Sequence, residues 1–300
     1  MSKIYRLYQI DSFTKQRFSG NPAGVVTHAD GLSDQQMQHV ARELNNSETA
    51  FILSGNDGYD MQVRFFTPTV EVPICGHATI AAHYANALEK RIQGHCRVWQ
   101  KTSAGILPVD IYQDGEDYQI AMTQGEISID APLSADCQFQ IMTALGLDTT
   151  QCLAELPMAI VSTGHSKVMV GIRDSEKLHR LQPDLTALSN ISRMIGCNGY
   201  YVFTLDPSGD PLVHGRMFAP AIGIAEDPVT GNANGPLGAY LVHCGIADTT
   251  QDKFTFHAVQ GEAIGRAGTI RVEVTLADKK AVSVQIFGYA VVVFSAEIEI

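Results

Sequence analysis

One short passage occurs twice in this chain, once in each half. The first copy covers residues 64–68 and leads into residues 73–78, and the second covers residues 216–220 and leads into residues 228–233. Both copies predict a strand, a Pro-x-x-Gly turn and an Ala-rich helix. Because the first N–H groups of a helix have no intrahelical partner, each copy aims free donors beyond its turn. The repeat therefore predicts two related halves whose helix starts face one cleft suited to a carboxylate ligand.

The composition limits the partners that this chain can bind. Its 300 residues, 45% of them hydrophobic, carry a formal net charge of -11. Nucleic acid and anionic membranes attract proteins with a surplus of Lys and Arg, so we expect neither as a partner. The first ten residues alternate like a strand and predict no secretory signal, and no apolar stretch is long enough to span a bilayer. We therefore expect a cytoplasmic protein.

Motifs for metals and nucleotide cofactors are missing from the sequence. The six cysteines include no C-x-x-C pair, which argues against a zinc site or a thioredoxin-like redox pair. The Gly-rich residues 231–238 match neither the dinucleotide fingerprint nor the P-loop. We therefore expect neither a metal nor a cofactor.

The order of strand and helix patterns indicates the α+β class. The clearest helix begins after Ser33, which forms a capping box with Gln36. Residues 156–170 repeat the strand, Gly break and strand of residues 4–26. Mostly antiparallel strands wrapped around helices predict two domains, 1–124 and 125–300, and the last strand can pack back onto the first domain. Further helices are predicted over residues 77–89, 136–146, 184–196 and 232–244, the last with Pro236 tolerable only in its first turn.

Glu48 stands at the start of an otherwise apolar strand pattern. The period of two over residues 47–53 places it on the same face as Ala50 and Ile52. A poorly solvated carboxylate there could both take and return a proton. The alternative is a solvated carboxylate on an edge strand, and spacing alone leaves both interpretations open.

Other polar groups flank the two turns. His77 could donate to a substrate oxygen or relay a proton, or its ring could be satisfied by local backbone. Asp227 could bind a ligand donor, or it could simply start the second turn. Cys75 and Thr230 occupy equivalent positions, but a Thr hydroxyl is too weakly acidic to serve as a second base. Two-base racemisation is therefore disfavoured, and Cys75 could equally be a packing thiol.

Five motifs in combination resemble the phenazine-biosynthesis PhzF family. They are residues 18–26, 47–51, 64–68, 71–79 and 226–231, and the similarity runs over nearly the whole chain. The resemblance implies a diaminopimelate-epimerase-like fold, with two similar α+β domains that each wrap a barrel-like sheet around a central helix. It also implies an active site between the domains and a homodimer.

The resemblance implies roles for single residues as well. Glu48 matches the catalytic acid-base of the family, and His77 and Asp227 match its other polar catalytic groups. Asn232 stands where the phenazine enzymes have a Ser, so an amide replaces a hydroxyl contact. The substrate-binding set implied is Gly76, Gly231, Asn232, Thr230, Cys75 and Asn21.

The leading hypothesis is a cofactor-independent isomerase that acts on a small carboxylate-bearing metabolite. Glu48 would move a proton between two carbons, and the helix starts at Gly76 and Gly231 would stabilise enolate-like charge. Two alternatives stay open. One is a dehydratase or epimerase of a cyclic amino acid that uses Cys75 and Thr230, and the other is a non-catalytic binding or interaction protein.

Overall fold

The computed structural model describes residues 3–300, which form two compact units. One unit runs to Thr123 and includes Phe287–Ile300, and the other is Gln124–Ile286. Both are rich in strands with few helices, which confirms the predicted α+β class. Among the described helices, none is both long and apolar enough to cross a membrane. The cleft between the halves stays a prediction.

The first unit places one buried helix among its strands. The predicted capping box is present, because Ser33 Oγ accepts from Gln36 N–H and the Gln36 side chain accepts from Ser33 N–H. Helix α2 packs against β1, β2, β3, β4, β7 and β8, and its residues 77–87 are all buried, as expected of a helix at the centre of a fold. The elements are β1 (Ile4–Ser12), β2 (Asn21–Thr27), α1 (Asp34–Leu44), β3 (Thr49–Asn56), β4 (Tyr59–Phe66), β5 (Glu71–Val72), α2 (Gly76–Lys90), β6 (His95–Thr102), β7 (Gly105–Asp114), β8 (Asp117–Thr123) and the last strand, Ala290–Glu299.

The second unit is built in the same way around its own helix. The elements are β9 (Ser128–Ile129), α3 (Ala135–Leu145), β10 (Ala159–Ser162), β11 (Lys167–Gly171), α4 (Ser175–Arg180), α5 (Leu185–Ile195), β12 (Tyr200–Leu205), β13 (Val213–Ala219), β14 (Ile224–Asp227), α6 (Gly231–His243), β15 (Lys253–Gln260), β16 (Gly268–Ala277) and β17 (Lys280–Gly288). Helix α6 packs against β10, β15 and β16. Asn232 has non-helical backbone angles, so the regular helix begins at Ala233 and Pro236 falls within its first turn, where a missing N–H costs little.

The two units repeat one order of strand pairings. In the first, β1–β2 is antiparallel, β2–β3 parallel, β3–β4 antiparallel, β4–β6 parallel and β6–β7 antiparallel. In the second, β10–β11 is antiparallel, β11–β12 parallel, β12–β13 antiparallel, β13–β15 parallel and β15–β16 antiparallel. The central helix enters at the same place in both series, directly after β5 and β14. This topology agrees with the duplication that the repeated passage predicts.

The predicted strand over residues 47–53 is wrong at its start. Strand β3 begins at Thr49, so Glu48 lies just before it, and residues 49–52 are all buried. The reason is that β3 is paired on both edges, with β2 and β4, and is covered on both faces, which removes the alternation of a half-exposed strand. The period-two pattern therefore does not predict on which face the Glu48 side chain lies.

Burial of His83 in α2 predicts a loss of stability in mild acid. The ring is fully buried, its Nε2 lies 3.0 Å from Gln100 Oε1, and burial lowers the pKa of His83 from 6.5 to about 4. The unfolded chain therefore binds a proton in the window between these values while the native chain does not, so stability falls as pH falls. We expect His83 to account for about 2 kcal/mol of the loss between pH 7 and pH 5.

Urea unfolding at both pH values checks this expectation. His83→Gln keeps a donor for Gln100 Oε1 and should lose about 2 kcal/mol less than the wild type. His243→Gln, which replaces an exposed His, should lose as much as the wild type. The expectation is wrong if His83→Gln and the wild type lose equal stability.

Candidate active site

The predicted site residues fall into two groups, one in each unit, and both groups surround the start of a buried helix. In the first unit, Cys75 is the N-cap of α2 and has an extended backbone, with φ -143° and ψ 125°. Its side chain makes no capping hydrogen bond, so it leaves the N–H groups at the helix start to other acceptors. Anion binding at this helix start stays a prediction.

His77, in the first turn of α2, joins the other side chains of this group. Its Nδ1 lies 3.4 Å from Cys75 Sγ, and its Nε2 lies 3.4 Å from Glu48 Oε2 and 3.3 Å from Ser47 Oγ. The His77 side chain is 8% exposed and that of Glu48 is 16% exposed. The ring thus stands between a thiol and a carboxylate, both largely shielded from water. Such a chain can hold or pass a proton.

Backbone contacts around β2 fix Glu48 and His77 in place. The Gly24 N–H donates to Glu48 O at 3.3 Å, and a Cβ on Gly24 would lie 2.8 Å from Thr49 Oγ1, so only glycine lets the two strands approach this closely. Ser12 Oγ donates to His77 O at 2.7 Å. Asn21 is buried and pairs with Ser12 in the β1–β2 ladder, which places it beside the residue that holds His77.

The second unit repeats the extended N-cap at Thr230, which again makes no side-chain capping bond. Its Oγ1 instead donates to Asp227 Oδ2. Gln260 holds this loop from β15: its Nε2 donates to Asp227 O at 2.7 Å and to Thr230 Oγ1 at 3.0 Å, and its Oε1 accepts from Thr230 N–H at 3.1 Å. The hydroxyl and the carboxylate therefore belong to one partly buried hydrogen-bond network.

Gln124 and Asn232 lie at this helix start, and only one of them has its side-chain acceptor hydrogen-bonded. Gln124 Nε2 donates to Gly231 O at 2.9 Å, and its side chain fills the space beside Gly235, where a Cβ would lie 1.8 Å from Gln124 Oε1. The Asn232 Oδ1 atom is shielded from water and has no hydrogen-bond partner among the described residues. The amide that replaces the family Ser thus presents an unused acceptor at the helix start.

The same ion pair precedes both helix starts. Arg64 Nε and Nη2 donate to the two carboxylate oxygens of Glu71 at 2.8 and 2.7 Å. In the second unit Arg216 binds Glu226 in the same fork at 2.9 and 2.7 Å. Each guanidinium also lies over the Phe two residues later, 5.1 Å from the Phe66 ring centroid and 5.0 Å from that of Phe218. The repeated Arg is therefore a positioning residue that holds the strand leading into the turn.

Gln260 and Lys167 also lie near the second turn, and the sequence pattern did not predict them. Lys167 begins β11, is 4% exposed and donates from Nζ to Ser166 O at 3.1 Å. Burial lowers the pKa of Lys167, while the nearby Cys197 and Asp227 act in the opposite direction. For a polar residue at the end of a strand, the neighbouring sequence does not indicate that it belongs to a site. Gln260 and Lys167 come near the turn only through pairing between strands far apart in the sequence.

Glu48, Cys75 and His77 could also serve as metal ligands. Each offers one ligand atom, and the three atoms lie within 4.8 Å of one another. Carboxylate, thiolate and imidazole are the usual ligands of zinc in proteins. The predicted independence of metal and cofactor therefore stays a prediction.

Comparison with known proteins gives consistent matches over the whole chain. The family model of the phenazine biosynthesis-like proteins matches residues 10–296. An uncharacterized isomerase of Clostridium acetobutylicum is 57% identical over 300 residues, which are 99% of each chain. The trans-2,3-dihydro-3-hydroxyanthranilate isomerase of Pseudomonas fluorescens is 33% identical over 258 residues, 86% of each chain. A PhzF-family phenazine biosynthesis protein of Bacillus anthracis has a crystal structure with a TM-score of 0.89 at 29% identity, covering 99% of this chain and 100% of that one.

The fold and these relatives define an α+β isomerase whose substrate they leave unassigned. The chain belongs to the phenazine biosynthesis-like family, PhzF. The family resemblance inferred from the five motifs, and the fold that it implies, are thereby confirmed.

The Arg216 fork predicts a large cost for a conservative substitution. Arg216→Lys keeps the charge but loses the fork to Glu226 and the bonds from Nη1 to Leu178 O and Leu181 O, at 3.0 and 2.9 Å. Because the side chain is 7% exposed, we expect a loss of about 2–3 kcal/mol in the free energy of unfolding, measured in urea. Arg173→Lys is the control, since Arg173 and Glu155 are half exposed and 3.9 Å apart, and should cost under about 0.5 kcal/mol. Equal costs for the two variants would contradict the positioning role.

Proposed function

We propose that this chain is a cofactor-independent isomerase in which Glu48 removes a proton from one carbon of a small carboxylate-bearing substrate and returns it to another. The observation that carries the proposal is the arrangement of Glu48, His77 and Cys75 at the start of α2. A carboxylate can accept a proton directly, whereas the Cys75 thiol must first lose its own proton to act as a base. The Glu48 side chain is also largely shielded from water, which suits a group that acts on a bound substrate.

The contacts of the His77 ring support Glu48 as the base. When the proton of a neutral His77 ring is on Nε2, the ring can donate to Ser47 Oγ, lies 3.4 Å from Glu48 Oε2 and accepts from the Cys75 thiol at Nδ1. In that arrangement Glu48 is a carboxylate and Cys75 is a protonated thiol. His77 then acts as a positioning residue for Glu48.

The helix start supplies the second requirement of a proton shift. Removing a proton next to a carboxylate or an unsaturated group builds enolate-like negative charge. The N–H groups from Gly76 onward are not capped by Cys75, and they can stabilise that charge without reorganisation.

The second helix start offers binding groups for a ligand of related chemistry. Its N–H groups suit a carboxylate, whereas the Asn232 Oδ1 acceptor requires a donor such as an amine or hydroxyl. We therefore propose that the substrate carries a carboxylate together with an amine or a hydroxyl. The named substrate of the Pseudomonas fluorescens relative, an anthranilate derivative with a hydroxyl group, has this combination.

One observation favours a second candidate function. Cys75 Sγ lies 3.4 Å from His77 Nδ1, so His77 could accept the thiol proton while Glu48 stabilises the resulting imidazolium. A thiolate formed in this way would make Cys75 the base of a dehydratase or epimerase that acts on a cyclic amino acid. In that reaction Thr230, bound to Asp227 and Gln260, would contribute a hydroxyl contact rather than a second base.

The first experiment finds a substrate by proton exchange. The purified protein is incubated in deuterated water with carboxylic acids and amino acids, including trans-2,3-dihydro-3-hydroxyanthranilate, and incorporation of deuterium into carbon is read by mass spectrometry. The proposal expects incorporation that persists in the presence of a chelator. If bound acids exchange no carbon-bound hydrogen, the non-catalytic binding role is favoured instead.

The second experiment assigns the base. With the exchanging acid as ligand, Glu48→Gln should lower the exchange rate by about 10²–10⁴-fold, because it removes the general base, and should leave ligand affinity within a few-fold. Glu43→Gln, on the exposed face of α1, is the matched control and should exchange at the wild-type rate. Cys75→Ala should retain exchange. Full exchange by Glu48→Gln together with its loss in Cys75→Ala would overturn the proposal in favour of the thiol mechanism.

A further inference from the structure

A second group of metal-ligating side chains lies in the second unit, outside the residues assigned to proton transfer. Glu262 Oε2 is 2.8 Å from His214 Nδ1 and 3.2 Å from His179 Nε2. The three ligand atoms all lie within 4.8 Å of one another. Two imidazoles and one carboxylate form a donor set that proteins use for zinc.

The spacing of these atoms fits a tetrahedral ion. Metal bonds of 2.0–2.2 Å to nitrogen and oxygen place neighbouring ligand atoms about 3.3 Å apart. The separations of Glu262 Oε2 from His214 Nδ1 and His179 Nε2, 2.8 and 3.2 Å, require shifts of at most about half an ångström to reach that value. An ion would replace the hydrogen bonds that now join Glu262 to the two rings.

Three separate elements deliver the ligands, and the fold holds each of them. His214 lies on β13 two residues before Arg216, on the same face of the strand. Arg216 Nη1 donates to Leu178 O and Leu181 O at the end of α4, which fixes the helix that carries His179.

Glu262 is held by a turn that only glycine allows. It follows Gly261, whose φ is +87° and where a Cβ would lie 2.4 Å from Arg266 O and 2.7 Å from Pro228 O. This turn directly follows β15, which runs parallel to β13 with Val259 opposite His214. The site is therefore assembled by tertiary structure before any ion binds, which favours affinity.

We propose that His179, His214 and Glu262 bind a divalent transition-metal ion, with Zn²⁺ as the best match to the donor set. The three side chains are 39%, 27% and 31% exposed, so water can complete the coordination shell. The ion ties α4 and the Glu262 turn to β13. Its role is structural, and it is independent of the isomerase function proposed above.

Metal titration of the full-length, metal-free protein tests this site. Zn²⁺ is followed by calorimetry and Co²⁺ by its visible absorption. The expected result is one ion per chain, bound equally by the wild type and by Cys75→Ala, which removes the competing ligand set around Glu48. Glu262→Gln and His179→Gln should each weaken binding by at least about tenfold. His257→Gln should bind as the wild type does, because His257 pairs with Asp210 at 2.8 Å and this pair has no third ligand among the described residues.

A measurement on the wild type does not depend on the folding of the variants. Zn²⁺ should raise the midpoint of thermal unfolding and shift the ring resonances of two histidines in the nuclear magnetic resonance spectrum. The absence of both effects, with metal in large excess over protein, would overturn the proposal. Binding that is lost in Cys75→Ala, or that is unchanged in both Glu262→Gln and His179→Gln, would overturn it as well.

Discussion

The central helices α2 and α6 each begin after a residue with an extended backbone, Cys75 or Thr230, whose side chain makes no capping hydrogen bond. The surrounding structure has to hold these helix starts in place. In both units an Arg on the preceding strand, Arg64 or Arg216, donates two parallel hydrogen bonds to a Glu carboxylate and lies over a Phe ring. This pair of Arg–Glu hydrogen bonds holds the strand in place. The Pro-x-x-Gly turn follows the strand, and the central helix begins directly after the turn. The Cys75 and Thr230 side chains make no capping hydrogen bond, so they leave the N–H groups at both helix starts to other acceptors.

The two helix starts share a scaffold but differ in chemistry. Around α2, a thiol, an imidazole and the carboxylate of Glu48 form a chain that can move a proton. Around α6, the Thr230 hydroxyl is locked to Asp227 and Gln260, and such a group orients a ligand more readily than it titrates. The two helix starts therefore have similar backbones, while the thiol, imidazole and carboxylate are concentrated at only one of them.

Local sequence signals predicted much of this fold. The capping box at Ser33, the central helices and the repeated turn depend on residues a few positions apart, so their patterns are visible in the sequence. The features that the sequence did not predict depend on contacts between residues far apart in the chain. Helix α4 has six residues, too few to show a period, and Gln260 reaches the second turn only because β15 runs parallel to β13. The sequence left open whether Glu48 is shielded, and β3 begins two residues later than the predicted strand over residues 47–53.

The central claim is that the carbon chemistry occurs at Glu48 and that Cys75 stays a thiol. A crystal structure of Glu48→Gln with the exchanging acid bound would test this claim most directly, because it shows which side chain faces the reacting carbon. The account predicts that this carbon lies within about 3.5 Å of the side chain at position 48, the separation of a near-attack geometry. A reacting carbon held against Cys75 Sγ, out of reach of position 48, would contradict it.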